Sequence, residues 1–188
     1  DKEAVDVLLS DPRIQAVSFV GSTPVAESVY RTATANGKRC QALGGAKNHA
    51  IVMPDADIDN TVQSLMGAAF GSSGERCMAV SVVVAIGDET ADALIEAFRA
   101  EMVKLKVGSF DNANNDFGPL ISDEHRDRVV SLINSAEKAG ASIIVDGRKP
   151  ELAAGDDGFF VGGTLIDHVK STMACYQQEI FGPVLSVV

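Results

Sequence analysis

Residues 71–86 decide the fold: Gly71-Ser72-Ser73-Gly74-Glu75-Arg76-Cys77-Met78-Ala79, followed by Val80-Ser81-Val82-Val83-Val84-Ala85-Ile86. The second half reads as an apolar strand of the kind covered on both faces, which is the habit of parallel sheets in α/β proteins. The first half holds two glycines and two serines, which permit a tight, unusual backbone path from a helix into that strand. Connections of this type present functional side chains, and Cys77 stands near the end of this one. Two readings of the thiol are open on these residues alone. It is a nucleophile whose thiolate the neighbouring Arg76 favours, or a small buried hydrophobe at the start of a strand.

Upstream, Pro54-Asp55-Ala56-Asp57 launches a helix with acidic residues at its positive end. Its apolar positions Ile58, Val62, Leu65, Met66 and Ala69 follow the 3.6-residue period. Residues 50–53 before it read as a strand. Earlier still, residues 17–20 form a short apolar run stopped by Gly21-Ser22-Thr23-Pro24, a helix-start signal. The helix that follows runs to about Ala35, with Val25, Val29 and Ala33 on one face and Gly37 as its stop. Downstream, the pattern predicts a third helix over about 90–105 and a polar loop over 108–119. A fourth helix, capped by Ser122, turns Val129, Leu132, Ile133 and Ala136 inward and stops at Gly140. A strand over 142–146, an exposed loop over 148–158 and one or two short strands over 159–166 follow. Val184-Leu185-Ser186-Val187-Val188 reads as a strand cut mid-run. With no initiator Met, this predicts a piece of a longer protein. Strands alternating with single helices predict an α/β architecture with a mostly parallel sheet.

Composition narrows the function. The 188 residues are 46% hydrophobic and 22% charged, enough to bury a core. Sixteen Lys+Arg against 26 Asp+Glu give a formal charge of −10, which repels phosphate backbones and anionic lipid heads. Nucleic-acid and membrane-surface roles are therefore not expected. The longest apolar stretch, residues 78–86, is far short of the ~20 residues of a spanning helix. Cys40, Cys77 and Cys175 are odd in number with no close pair, against a disulfide framework or a structural zinc site and in favour of a reducing compartment. Cys40 and Cys175 lack glycine punctuation and read as packing residues. His49, His125 and His168 are scattered, so neither a metal site nor a protease-like dyad is expected, and His125 and His168 read as solvated. Asp55, Asp57 and Asp59 read as helix N-terminal charge rather than a cation loop.

Two further segments carry chemistry or ordinary turns. Gly21-Ser22-Thr23-Pro24 is an anion site at a helix N-terminus, or simply a helix start. Glu179-Ile180-Phe181-Gly182-Pro183-Val184 offers a carboxylate to ribose hydroxyls and a ring for packing, or is only a turn before a strand.

Phe19-Val20-Gly21-Ser22-Thr23, Leu43-Gly44-Gly45, Gly74-Glu75-Arg76-Cys77, Gly118-Pro119-Leu120-Ile121 and Glu179-Ile180-Phe181-Gly182-Pro183-Val184 stand in that order over nearly the whole chain. This set resembles the aldehyde dehydrogenase superfamily. Gly45-Ala46-Lys47-Asn48-His49 with Gly74-Glu75-Arg76-Cys77-Met78-Ala79 looks like its CoA-acylating branch, the methylmalonate-semialdehyde dehydrogenases. Ala46-Lys47 resembles the extra residue such members carry after Gly-Gly.

The resemblance implies an enzyme that takes methylmalonate or malonate semialdehyde, NAD and CoA to propionyl- or acetyl-CoA, NADH and CO₂. It implies Cys77 as nucleophile with its backbone N–H in an oxyanion hole, and Gly21 and Ser22 near the cofactor diphosphate. Glu179 is then at the nicotinamide ribose, and Phe181 at the ring. Residues 1–42 become the end of an NAD-binding domain, and 43–188 a catalytic domain truncated at its C-terminus. A homo-oligomeric parent in a bacterial cytoplasm or a mitochondrial matrix is implied too, and a fragment that alone does not turn over NAD. A semialdehyde bearing a carboxylate needs a cationic clamp, and Arg76 is the candidate, with tuning Cys77 or tying down the loop as the alternative.

Two departures from the pattern matter. Where hydrolytic relatives have a glutamate before Leu-Gly-Gly, this chain has Ala42, and residues 41–48 contain no carboxylate. Water is then poorly activated, whereas a thiol is a better nucleophile toward a thioester and does without the base. Many members have glycine where Ala26 stands, which bears on how closely a cofactor approaches Gly21 and Ser22. A hydrolytic aldehyde dehydrogenase and a non-catalytic interaction or oligomerisation module are the competing readings.

Overall fold

A computed structural model describes residues 2–152 and 157–188. Asp1 and residues 153–156 of the predicted exposed loop lie outside the described residues. The chain divides into two compact units, Asp1–Ala46 and Lys47–Val188.

The first unit comprises α1 (Lys2–Ser10), β1 (Ala16–Val20), α2 (Thr23–Ala35) and β2 (Arg39–Leu43). β1 and β2 pair in parallel, from Ala16 opposite Arg39 to Val20 opposite Leu43. Leu9, Val29 and Ala33 form its core, with Val17, Phe19 and Cys40 packed against them. The inward face of α2 differs from the predicted one: Ala26 is buried and Val25 exposed. Positions 26, 29 and 33 are the i, i+3, i+7 stripe that a single helix face presents to a sheet. α1 and β2 were not expected. In β2 only the alternate residues Cys40 and Ala42 turn inward, so no apolar run marks it. Gly37 closes α2 in the left-handed region at φ +70°. The buried Lys38 ammonium donates to the carbonyls of Asp11 and Ile14.

The second unit runs β3 (Asn48–Val52), α3 (Ile58–Phe70), a 3₁₀ turn (Gly71–Gly74), β4 (Val80–Ala85), α4 (Asp88–Met102) and α5 (Asp123–Lys138). It ends with β5 (Ser142–Val145), β6 (Thr164–Asp167), α6 (Ala174–Gln177) and β7 (Val184–Val187). Its five strands lie in the order β3-β4-β7-β6-β5, all parallel except β5 against β6. The consecutive residues Val82 and Val83 are both fully buried, so β4 is covered on both faces. Leu165 and Leu185 pack with Val62, Phe70, Leu94 and Phe98 of α3 and α4. Their neighbours Ile166 and Val184 pack with Val129, Ile133 and Ala136 of α5. Because successive strand residues point to opposite faces, helices cover both sides of the sheet. Burial of Phe70 or Phe98 contributes roughly 2 kcal/mol each.

Helix starts follow the sequence: Asp57 Oδ1 accepts from Asn60 N at 3.0 Å, and Ser122 Oγ from His125 N at 3.2 Å. The third helix stops at Met102, and between 159 and 166 a single strand begins, at Thr164. Arg148, at the head of the predicted exposed loop, is anchored instead. It pairs with Asp146 at 2.6 Å and Glu137 at 2.7 Å. Among the described residues no helix is long and apolar enough to cross a membrane.

Candidate active site

The connection from α3 to β4 takes the path its composition predicts. Ser72 and Ser73 adopt left-handed backbone at φ 52° and 56°, and Gly74 follows at +68°. Two consecutive non-glycine residues there are unfavourable and persist only when their surroundings hold them. Three contacts do so. The buried Ser73 hydroxyl donates to the carbonyl of Gly118 at 2.8 Å. Gly74 lies so close to the chain at Gly182 that an added Cβ would sit 2.2 Å from that carbonyl oxygen. The Arg76 guanidinium covers Gly71, where a Cβ would meet it at 2.8 Å, and its Nε donates to Ser72 Oγ at 3.2 Å.

Cys77 emerges exposed at the far end of this turn. Its backbone is fixed from β3: Asn48 Nδ2 donates to the Cys77 carbonyl at 2.9 Å and to the Ala79 carbonyl at 3.0 Å. A small buried hydrophobe is therefore not what this thiol is. The contacts of Arg76 correspond to the loop-tying alternative, and the side chain remains exposed.

The segment from Cys175 to Pro183 is held through its carbonyls by side chains from elsewhere. Lys47 Nζ donates to Cys175 O at 2.6 Å and Gln178 O at 2.9 Å. Arg128 donates to Glu179 O at 2.8 Å and Ile180 O at 3.1 Å. His125 Nε2 lies 2.6 Å from Phe181 O, so that nitrogen carries the hydrogen. Phe181 is itself left-handed at φ 58°, with its ring edge-on to the imidazole. The expectation of a solvated His125 is corrected: its side chain is 17% exposed and lies 3.5 Å from Glu75 Oε1, itself 18% exposed. A first-turn histidine reads as solvated by position, but here the first turn of α5 faces the 179–183 segment.

Residues 71–79, 118–121 and 179–183 are thus one cluster, joined by Ser73 to Gly118, by Glu75 Oε1 to Ile121 N at 3.4 Å, and by Gly74 to Gly182. Glu179 is half-buried at its edge. Burial lowers Lys47 to about 8. Cys175 and Glu179 oppose that shift, and Arg128 adds to it. Burial likewise pushes the Cys175 thiol up, and this residue is fully buried. His168 is exposed. His49 lies on β3 with Nε2 2.9 Å from the Tyr176 hydroxyl.

Gly21 and Ser22 belong to the first unit. The Gly21 amide donates to Leu43 O at 3.1 Å, and Ser22 precedes α2 without using its hydroxyl as a cap. Pro24 has no N–H and the Ala26 amide bonds Ser22 O, so this helix start offers an anion the Thr23 and Val25 amides and the Ser22 hydroxyl. Thr23 Oγ1 instead accepts from Gly45 N at 3.0 Å. Ala26 packs its methyl into the core. Among the described residues no group of three or more His, Cys, Asp and Glu is placed to hold a metal ion.

Lys47 and Asn48 stand in the sequence motif that carries the resemblance and Ser73 in the Gly/Ser turn, but no contact of theirs, nor of Arg128, is legible in the sequence. Each acts through a carbonyl distant in the chain, and such contacts leave no local pattern.

The family model described as "Aldehyde dehydrogenase family" matches residues 1–188. Among curated relatives, the malonate-semialdehyde dehydrogenase of Pseudomonas aeruginosa is 54% identical over 188 residues, which is all of this chain and 38% of the relative. A methylmalonate-semialdehyde dehydrogenase structure from Oceanimonas doudoroffii superposes with a TM-score of 0.98 at 66% identity, over 100% of this chain and 38% of that one. A Sinorhizobium meliloti protein assigned as a methylmalonate-semialdehyde dehydrogenase, solved with NAD, gives 0.97 at 52% identity with the same coverage. The chain spans little more than a third of the length of these relatives.

Proposed function

The chain belongs to the aldehyde dehydrogenase family, and on that premise we propose that it carries the nucleophile segment of an NAD-dependent, CoA-acylating malonate- or methylmalonate-semialdehyde dehydrogenase. The observation that carries the reading is the exposed Cys77, mounted on a strained loop packed against the segment bearing Glu179 and Phe181. The relatives named for these semialdehydes support the substrate class.

The Cys77 thiolate attacks the aldehyde carbon, forming a C–S bond and a tetrahedral oxyanion that the Cys77 amide receives. The loop fixes that amide in place beforehand, so little reorganisation is needed as charge develops. NAD, when bound, accepts the hydride that leaves this carbon, and the product on Cys77 is a thioester. Gly21 and Ser22 would lie near the NAD diphosphate, Glu179 would hold the nicotinamide ribose, and Phe181 would pack near the ring. Arg76 pairs with the substrate carboxylate.

Deacylation falls to CoA. The C–C bond to the carboxylate breaks, CO₂ leaves, and the thioester enolate that remains takes up a proton from water. The thiolate of CoA attacks the thioester carbonyl and expels the Cys77 thiolate, giving propionyl- or acetyl-CoA. Thiolysis is favoured because Ala42 stands where a general base for water would be, and residues 41–48 hold no carboxylate. The 188 residues alone do not turn over NAD on this reading, and the parent is a homo-oligomer.

The test is NADH formation by the full-length protein with and without CoA. Turnover that depends on CoA supports the proposal. Equal turnover without CoA, yielding a carboxylic acid, replaces it with the hydrolytic alternative. A non-catalytic module is separated by iodoacetamide: a nucleophilic Cys77 reacts well before Cys40 or Cys175.

A further inference from the structure

We infer that Lys47 and Asn48 are positioning residues, two adjacent side chains that set the nucleophile and the nicotinamide-side carboxylate in register with each other. The inference rests on the reading of Cys77 and Glu179 just proposed. Asn48 opens β3 with Lys47 directly before it, and the register against β4 shifts between Asn48 and His49. A bulge re-aims the side chains of the strand that carries it. Asn48 gives both hydrogens of its amide to the cysteine turn, at Cys77 O and Ala79 O. Lys47 reaches the other way, to Cys175 O and Gln178 O, the carbonyl directly preceding Glu179.

His49 adds a side-chain tie to the 175–178 segment through the Tyr176 hydroxyl. One tripeptide therefore grips both functional segments, and Lys47 and Asn48 do so only through backbone carbonyls, which those segments cannot vary. A half-buried ammonium in such a position has a purpose that packing does not supply. An apolar side chain would fill the space, but it would leave two carbonyls without donors and the approach to Glu179 unfixed. Neither residue touches the reacting atoms. Each acts on one end: Asn48 on the nucleophile, Lys47 on the cofactor carboxylate.

That division of labour gives a test. In the full-length protein, Lys47→Met, Lys47→Arg, Asn48→Asp and Asn48→Gln are compared by KM for NAD, by kcat, and by the rate of Cys77 alkylation with iodoacetamide. Lys47→Met is expected to raise KM for NAD about tenfold, the scale of one charge-assisted hydrogen bond, with Cys77 alkylation within about twofold of wild type. Lys47→Arg, which keeps charge and donors, restores most of that loss. Asn48→Asp, which loses both donors at constant shape, is expected to change the alkylation rate and kcat about tenfold while KM for NAD stays within about twofold. Should Asn48→Asp not fold, Asn48→Gln gives the same readout with the donors displaced. If all variants change both parameters in parallel, or none changes either, the two residues are ordinary packing and the inference is overturned. A wild-type protein without any NAD-dependent turnover contradicts the functional reading instead, and the alkylation arm still tests Asn48.

Discussion

His125 donates from Nε2 to the carbonyl of Phe181 at 2.6 Å, across 56 residues of sequence. The bond holds a non-glycine residue in left-handed backbone two residues after Glu179. Removing it should release that strain locally and cost about 1–2 kcal/mol of stability. His125→Ala in the full-length protein is therefore expected to lower the urea midpoint, with Gln recovering part of the loss. An unchanged midpoint for His125→Ala contradicts the role.

Gly74 and Gly67 should respond to the same substitution in opposite directions. Gly74 has φ +68°, and a Cβ would lie 2.2 Å from Gly182 O. Gly74→Ala is expected to cost roughly 2–4 kcal/mol and to alter Cys77 alkylation. Gly67 lies within α3 with nothing within 4 Å of its added Cβ. Gly67→Ala should stabilise by about 0.5–1 kcal/mol. Denaturation curves of the two variants decide; a tolerated Gly74→Ala would mean that the turn does not take this path.

Lys47 links pH to stability with a definite sign. Its folded value of about 8 lies below the ordinary 10.5, chiefly because burial disfavours the charge. Between those values the unfolded chain holds a proton that the folded chain has released, so stability rises with pH through that window. Below about 8 both states are protonated and Lys47 contributes no slope. Unfolding free energies of wild type minus Lys47→Met should therefore grow from pH 7.5 to pH 10. A difference that is flat or shrinks removes the buried ammonium from the explanation.

Arg76 ties Ser72 and covers Gly71, and the proposed function gives it the substrate carboxylate as well. Arg76→Ala should abolish the preference for carboxylated over simple aldehydes in kcat/KM. Arg76→Lys should restore little, because a point charge cannot both span the turn and present a planar fork. Preference retained in Arg76→Ala leaves the loop-tying role alone.

Much of the fold was legible because its signals are local. The cap at Ser122, the Val129-Leu132-Ile133-Ala136 stripe and the apolar run of β4 each announce an element within a few residues. β2 was not, because its inward residues are only Cys40 and Ala42 between Arg39 and Gln41. The Gly/Ser composition of residues 71–74 forecast an unusual backbone, and its left-handed serines are that backbone. What holds the site was illegible. Lys47, Asn48, His125 and Arg128 act on backbone carbonyls, which are the same in every residue and leave no trace in sequence. Position on a first turn made His125 look solvated, whereas its partner lies 56 residues away.

Mass spectrometry of the acylated enzyme tests the central claim most directly. Full-length protein mixed with semialdehyde and NAD, without CoA, should gain an acyl adduct on the peptide bearing Cys77. Added CoA should discharge it much faster than water does. An adduct elsewhere, or an adduct on Cys77 that water removes as fast as CoA does, contradicts the thioester-to-CoA mechanism.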